Sequence, residues 1–261
     1  MLFRSKIDSF REKEETTGTV RVYENGCIGV AGCLGTPDEK ALTEKAAEAL
    51  VLGIPYPCDL GGPLEQEILC EEEIIPVPEF IPTMQNFLDR LGEACPKFAF
   101  SNKIKLSYRK TEYRNSLGRH LTSSGRYLSI QLLAQNRGSG NLFDTVFGFE
   151  GDSFDADALL AKFKNQYDAF YTPADIESGR LPVLMESADL FGTFLQHFIA
   201  DIYVSGASLF SGNIGQKAFS EKLPPKNDTN PATNTGSRFF DKEGFGAPDF
   251  RSAIIDEGVP T

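Results

Sequence analysis

The chain has 261 residues, room for roughly two domains of ordinary size. Its formal net charge of −11, from 37 acidic against 26 basic residues, repels nucleic-acid backbones unless a local basic patch overrides it. Hydrophobic residues make up 41%, and no run approaches the roughly 18 consecutive apolar residues of a membrane helix, so the composition predicts a soluble, cytoplasmic protein.

The N-terminal stretch "MLFRSKIDSFREKEE" turns charged at once and has no apolar core of signal-peptide length. Next, "TVRVYENGCIGVAGCLG" places two β-type runs around the turn signal "ENG" and predicts a hairpin. Gly26, Gly29, Gly32 and Gly35 recur every third residue, which is not the G-x-G-x-x-G spacing of a dinucleotide fingerprint. They fit bends or close backbone approach within a sheet instead. "TPDEKALTEKAAEALVLG" then predicts a helix: Thr36 as cap, Pro37 at the first helical position, Glu39 completing a capping box, and Gly53 as C-cap.

Residues 54–82 are rich in proline and contain the acidic run "CEEEIIPVPEF", which predicts an extended connection. A helix over roughly 83–95 follows. The stretch from 97 to 151 predicts three strands, with "NRGSGN" turning the last two into a hairpin. Its basic part, "NKIKLSYRKTEYR" at 102–114, alternates with apolar and aromatic residues and reads as a strand with one wet face. Direct nucleic-acid binding is not expected. "SFDADALLAKFKNQYDAFY" predicts an amphipathic helix capped by Ser153 or Asp155.

Helices and strands in blocks, joined by hairpin-type turns, argue for an α+β fold with a mostly antiparallel sheet and flanking helices. A polar connection near 172–181 leads to a short strand "LPVLM" and then to "LFGTFLQHFIAD" at 190–201. We expect a first domain over 1–176 and the beginning of a second, β-rich domain over 177–261. The stretch from 222 onward is rich in Pro, Asn, Thr and Gly and predicts an incomplete fold. Five cysteines, Cys27, Cys33, Cys58, Cys70 and Cys95, form no C-x-x-C pair. Reduced thiols are the expectation, not a disulfide framework or a zinc ribbon.

The run "GASLFSGNIGQKAFSEKL" at 206–223, followed by "GSRFFDKEG" at 236–244 and "IIDEGV" at 254–259, resembles the TldD/PmbA proteins, metallopeptidases also described as modulators of DNA gyrase. "NSLG" at 115–118 resembles an Asn-Ser-x-Gly element of that family's N-terminal domain. The resemblance implies a two-domain α+β protein that forms a dimer. It further implies that a TldD-type subunit carries H-E-x-x-x-H on a helix, with both histidines on zinc.

Aligned without gaps to that motif, the first histidine falls on Phe191, the glutamate on Gly192 and the second histidine on Gln196. His197 stands beside the slot. The chain's other histidine, His120, lies in the first domain. The chain is therefore similar to the PmbA (TldE) type that lacks the zinc motif, with no metal or other cofactor expected in this chain and zinc expected only in a TldD-type partner. Leu190, Phe191, Phe194, Leu195, Phe198, Ile199, Ile202 and Tyr203 form an apolar stripe at helical spacing, with His197 and Asp201 on the polar side.

The expected role is that of a subunit in a peptidase complex that grips unfolded peptide by strand addition while a zinc-bearing partner, or a second copy, completes the assembly. The substrate-binding candidates are Ser208, Phe210, Ser211 and Gly212 in the first motif and Asp241, Glu243 and Gly244 in the second. Asp241 and Glu243 could instead serve as an acid–base pair, hard-cation ligands or a local turn cap. "SLFSG" lacks the G-x-S-x-G elbow of serine hydrolases. No catalytic residue is assigned. A non-enzymatic, self-associating binding or regulatory protein is the alternative.

Overall fold

The computed structural model describes residues 2–3, 6–56, 58–70, 72–182, 192, 195–199, 202–203, 205–222, 226–231, 233–234 and 236–260. Its first part is built on a six-stranded sheet. Two long strands, β6 (Phe98–Arg114) and β7 (Arg119–Asn136), pair antiparallel from Phe98↔Asn136 to Arg114↔His120. β8 (Thr145–Gly151) pairs antiparallel with residues 128–134 of β7, and β5 (Leu64–Ile68) runs parallel to residues 119–123. At the other edge, β1 (Leu2–Phe3) joins β6 and β2 (Lys6–Ile7).

Side chains alternate across a strand, so β6 and β7 serve two different cores. On one face, Phe98, Phe100, Leu128, Ile130, Leu132 and Phe147 are fully buried beneath α2 (Val77–Ala94) and α3 (Ala156–Phe170). Met84, Phe87, Leu88 and Leu91 of α2 and Leu159 and Phe163 of α3 complete that core. The rings of Phe98 and Tyr167 meet edge to face at 5.2 Å, and Phe147 lies 5.1 Å from Phe163. On the opposite face, Leu121 of β7 packs with Phe239 and Phe240, each about 4% exposed, and with Tyr113 and Phe250. The C-terminal part of the chain thus docks on the face that the helices leave free.

The hairpin of β3 (Thr17–Glu24) and β4 (Cys27–Leu34) forms separately from this sheet, with α1 (Glu39–Ala49) on one side. Asn25 and Gly26 both hold positive φ, as the two-residue turn requires. Gly29 permits the helix to approach, since a Cβ there would lie 1.9 Å from the Ala46 carbonyl oxygen. The close-approach reading of these glycines holds at this position.

Several boundaries differ from the sequence expectation. The N-cap of α1 is Asp38, whose carboxylate accepts from the Ala41 N–H at 3.0 Å, in place of Thr36. A carboxylate one residue before the first helical turn caps it directly and also suits the helix dipole. Gly53 ends a following 3-10 turn in the left-handed region at φ 61. The helix expected at 83–95 begins at Val77 and contains Pro82. Prolines in the first turns remove donors that mostly lack helical partners anyway, and burial of the Met84–Leu91 stripe offsets the rest. β5 lies inside the connection expected to be extended, and β7 starts seven residues before the strand expected from "RYLSIQLLAQN". α3 takes Asp155 as its cap, as expected, with bonds from Asp157 and Ala158 N–H.

Residues 172–182 form an exposed connection without a regular element. Of the strand expected over 181–185, residues 183–185 lie outside the described residues, as do Leu190, Phe191 and Phe194 of the helical stripe at 190–203; Leu195–Phe198 form a 3-10 turn. Beyond it, β9 (Lys226–Asp228) pairs with β10 (Arg251–Ala253), and β11 (Ile255–Asp256) pairs with β12 (Val259–Pro260). The whole is α+β with mainly antiparallel pairing.

Candidate functional site

The two motifs that carry the site candidates occupy different places. In the first, Ser208 is buried and fully engaged: its Oγ donates to the His197 carbonyl oxygen at 2.8 Å and accepts from the Phe210 N–H at 3.0 Å. The Leu209 N–H donates to Nδ1 of His197 at 3.3 Å. The Phe210 ring stacks on Phe198 at 5.3 Å and meets Phe219 at 4.7 Å. Gly212 holds φ +86, a turn position that a side chain would strain. The segment is a succession of turns, with Ser211, Asn213 and Gln216 N–H groups bonded three residues back. It offers no strand edge. Gly215 N–H reaches the Pro260 carbonyl, and Ala218 and Phe219 N–H share the Gly258 carbonyl. Leu209, Ser211 and Ile214 remain exposed at its surface.

The second motif sits against the first part of the chain. Asp241 folds its own loop: its carboxylate accepts from the N–H groups of Glu243 (2.9 Å) and Phe245 (2.8 Å). Glu243 pairs with Nε of Arg21 on β3 at 3.3 Å, and both side chains are three-quarters or more covered. Gly244 packs so closely that a Cβ would stand 2.3 Å from the Tyr113 ring, and its carbonyl accepts from Nη1 of Arg119 at 2.7 Å.

The receiving surface is built by the turn at 115–118. Asn115 accepts from Leu117 and Arg119 N–H and donates to the Gly61 carbonyl, which fixes where β7 begins. Arg119 then bridges the Gly62 and Gly244 carbonyls, with the Phe245 ring 5.5 Å from its guanidinium. One guanidinium therefore ties the 61–62 loop to the 241–245 loop, a task for a planar, multi-donor cation. Tyr23 and Tyr56 face each other at 4.9 Å beside the Glu243–Arg21 pair.

Burial pushes the Tyr23 phenol up to about 12, with Tyr56 and Glu243 adding to the rise and Arg21 opposing it. Burial raises Tyr56, followed by the Glu243 charge, and burial raises Tyr113 against the pull of Asn115 and Arg119. At neutral pH the junction thus offers three protonated phenols around one carboxylate–guanidinium pair. Such a group can hydrogen-bond peptide carbonyls or hold two parts of a chain in register.

A separate open cleft of ≈ 530 Å³ lies over the wet face of the sheet, lined by Arg109, Tyr127, Glu150, Asp152, Thr233 and Ser237. It carries both charge signs.

Of the chain's two histidines, His120 lies on β7 and His197 in the 195–198 turn. His120 Nε2 meets Glu112 Oε1 at 2.9 Å across the β6–β7 pair. Burial alone would raise the Glu112 carboxyl, but hydrogen bonds with Arg114 and His120 outweigh it and hold the group below its ordinary value. Among the described residues no group of three or more His, Cys, Asp or Glu side chains could hold a metal ion. Nδ1 of His197 is taken by the Leu209 N–H.

Arg21, Tyr23, Tyr56, Tyr113 and Arg119 were not singled out from the sequence. They come from three separate stretches of chain and converge around the 241–245 loop only in the tertiary fold. Asn115, in the "NSLG" element, was the one available signal.

The α+β arrangement defines a protein of the TldE fold class. The structure superposes on TldE from Thermococcus kodakarensis with TM-score 0.73 at 16% identity, covering 99% of this chain and 62% of that one. A proposed modulator of a DNA gyrase from Thermotoga maritima gives TM-score 0.71 at 16% identity, again over 99% of this chain and 62% of its own. A similar protein from Bacteroides thetaiotaomicron gives 0.58 at 15% identity, over 93% and 60%. These likenesses concern the fold. No curated protein sequence matches the chain. Residues 178–261 match the model of the PmbA/TldA metallopeptidase C-terminal domain. The family likeness thus covers residues 178–261, and the fold likeness nearly the whole chain. It spans 62% of the length of the first two structures.

Proposed function

We propose that the chain is a PmbA/TldE-type, zinc-free subunit of a TldD/PmbA-type peptidase complex, holding unfolded peptide while a zinc-bearing partner subunit cuts it. The observation that carries this reading is the state of His197. Its Nδ1 accepts the Leu209 N–H and its carbonyl accepts the Ser208 hydroxyl, so the residue beside the family's metal slot knits the "SLFSG" turn together. Hydrolytic zinc needs several donors converging on one point, with an open position for water. An imidazole whose Nδ1 accepts a backbone N–H carries its proton on Nε2 when neutral, so neither ring nitrogen has a lone pair left for a metal.

Under this reading the exposed side of the 209–214 turns and the phenol-rich junction at Glu243 are the surfaces that meet peptide. Their contribution is binding and orientation, with chemistry supplied by the partner. The test is metal analysis of the purified chain, together with peptidase assays of the chain alone and mixed with a TldD-type subunit. Zinc well below one equivalent, and cleavage only in the mixture, are expected. One equivalent of zinc with chelator-sensitive cleavage by the chain alone would overturn the proposal. His197→Phe should lower stability by about 1 kcal/mol through the lost hydrogen bond and leave zinc content unchanged.

A further inference from the structure

The open cleft over the wet face of the sheet shares no lining residue with the 209–214 turns or the 241–245 loop. Its ≈ 530 Å³ falls within the roughly 300–1,000 Å³ of small-molecule sites. Strand alternation builds its floor. On the face of β7 opposite the helices, Leu121 takes Phe239 and Phe240, and the next residues, Ser123, Gly125 and Tyr127, lie beneath the cleft. Ser237 and Arg238, just before those two rings, line it from the C-terminal part.

The two charge signs here are held apart. Register sets Arg109 of β6 opposite Gly125 on one side of β7, and Glu150 of β8 opposite Ser129 on the other. Asp152 follows Glu150 by two residues and also lines the cleft. With two strand spacings and two residues of stagger between them, the Cα atoms of Arg109 and Asp152 stand ~12 Å apart. Gly125 leaves the ground between them clear. Among the described residues, neither Arg109 nor Asp152 has an ion-pair or hydrogen-bond partner. Glu150 spends one oxygen on the Ser129 hydroxyl at 3.2 Å. Arg238 is fixed by its Nε bond to the Phe240 carbonyl at 2.7 Å and by the Phe240 ring, which leaves its Nη groups to a ligand.

We propose that this cleft binds a short peptide by its two free ends, the α-carboxylate at Arg109 and Arg238 and the α-ammonium at Glu150 and Asp152. A guanidinium matches a carboxylate in a planar, two-bond contact, and a carboxylate pair suits an ammonium. An extended tripeptide spans about 10 Å, which fits the gap between the two charge groups. A simple anion would leave the two carboxylates unanswered, and a simple cation would leave the arginines so. The small floor and the Tyr127 ring accept side chains without demanding one. An unfolded chain carries its two ends far apart, so the site selects fragments of the kind that peptide hydrolysis releases. The inference stands independently of the zinc-free reading, because it needs no partner subunit.

Titration calorimetry of trialanine against the intact chain tests it, with circular dichroism to monitor folding. Saturable one-to-one binding is expected. N-acetyl-trialanine and trialanine amide, each lacking one charge, should bind at least roughly tenfold more weakly. E150Q/D152N should weaken trialanine to a similar degree yet leave N-acetyl-trialanine unchanged, since its ammonium is already gone. R109Q should do the same for trialanine and the amide. No saturable heat, equal affinity for free and blocked peptides, variants that weaken every peptide alike, or inorganic phosphate binding as tightly as trialanine would each overturn it.

Discussion

Tyr23 shows how one side chain inherits its chemistry from residues remote in sequence. Its phenol is partly buried on β3, its ring meets Tyr56 and the Glu243–Arg21 pair stands beside it. Burial lifts its pKa from 10.0 to about 12. The folded state therefore keeps a proton that the unfolded state releases, and stability falls as pH rises between those values. The contribution is complete below pH 10 and lost by about pH 12. Unfolding midpoints across that alkaline range should decline, and Tyr23→Phe should flatten the part of the slope that Tyr23 supplies. An unchanged slope in the variant would show that the phenol is free of its surroundings. Among the site candidates, Asp241 proved to be its own loop's cap, one of the roles its sequence allowed. Ser208 and Phe210 are engaged inside their own segment, a fact no spacing in "SLFSG" reveals.

At the scale of elements, helix caps and hairpin turns follow from a few residues in sequence order, so α3 and the β3–β4 turn were legible at once. α2 and β5 were not. "LEQEI" has neither alternation nor β-branched enrichment beyond one isoleucine, and becomes a strand because β7 offers it an edge. α2 carries prolines that argue for a loop, yet its buried stripe of Met84, Phe87, Leu88 and Leu91 outweighs them. The α1–hairpin unit rests on a backbone approach at Gly29. Gly29→Ala should force α1 away from Ala46 and cost about 1–3 kcal/mol, read as a lower chemical-denaturation midpoint. Equal stability of the variant would mean that the helix shifts freely on the hairpin.

For the molecule as a whole, the two faces of the β6–β7 pair divide the labour. One holds the helices; the other receives Phe239 and Phe240, and the adjacent 241–245 loop is pinned by Arg119 and Arg21. Residues 172–182 form an exposed stretch without regular structure. Phe240→Ala should remove one of the two rings from the second core at a cost of about 3–5 kcal/mol to the docking of the C-terminal part. Limited proteolysis should then cut within residues 236–250 far faster than in the intact chain, while the helix-covered core stays protected. Equal protection of both regions would show that the rings do not anchor the segment.

The amino-acid sequence by itself determined what is local or compositional: the acidic balance, the α+β succession, the hairpin turn, the caps, and the motif spacing that carries the family likeness. It also fixed the histidine count at two, His120 and His197, since that is a matter of which residues stand where. Only the tertiary structure decided the partners of the motifs. Glu243 meets Arg21 across 222 positions of chain, and Gly244 meets Tyr113 and Arg119, because the second core brings the 241–245 loop onto the sheet beside the hairpin. Hydrogen bonds and burial act over a few ångströms of space whatever the separation along the chain, so no reading of neighbours in sequence could supply them.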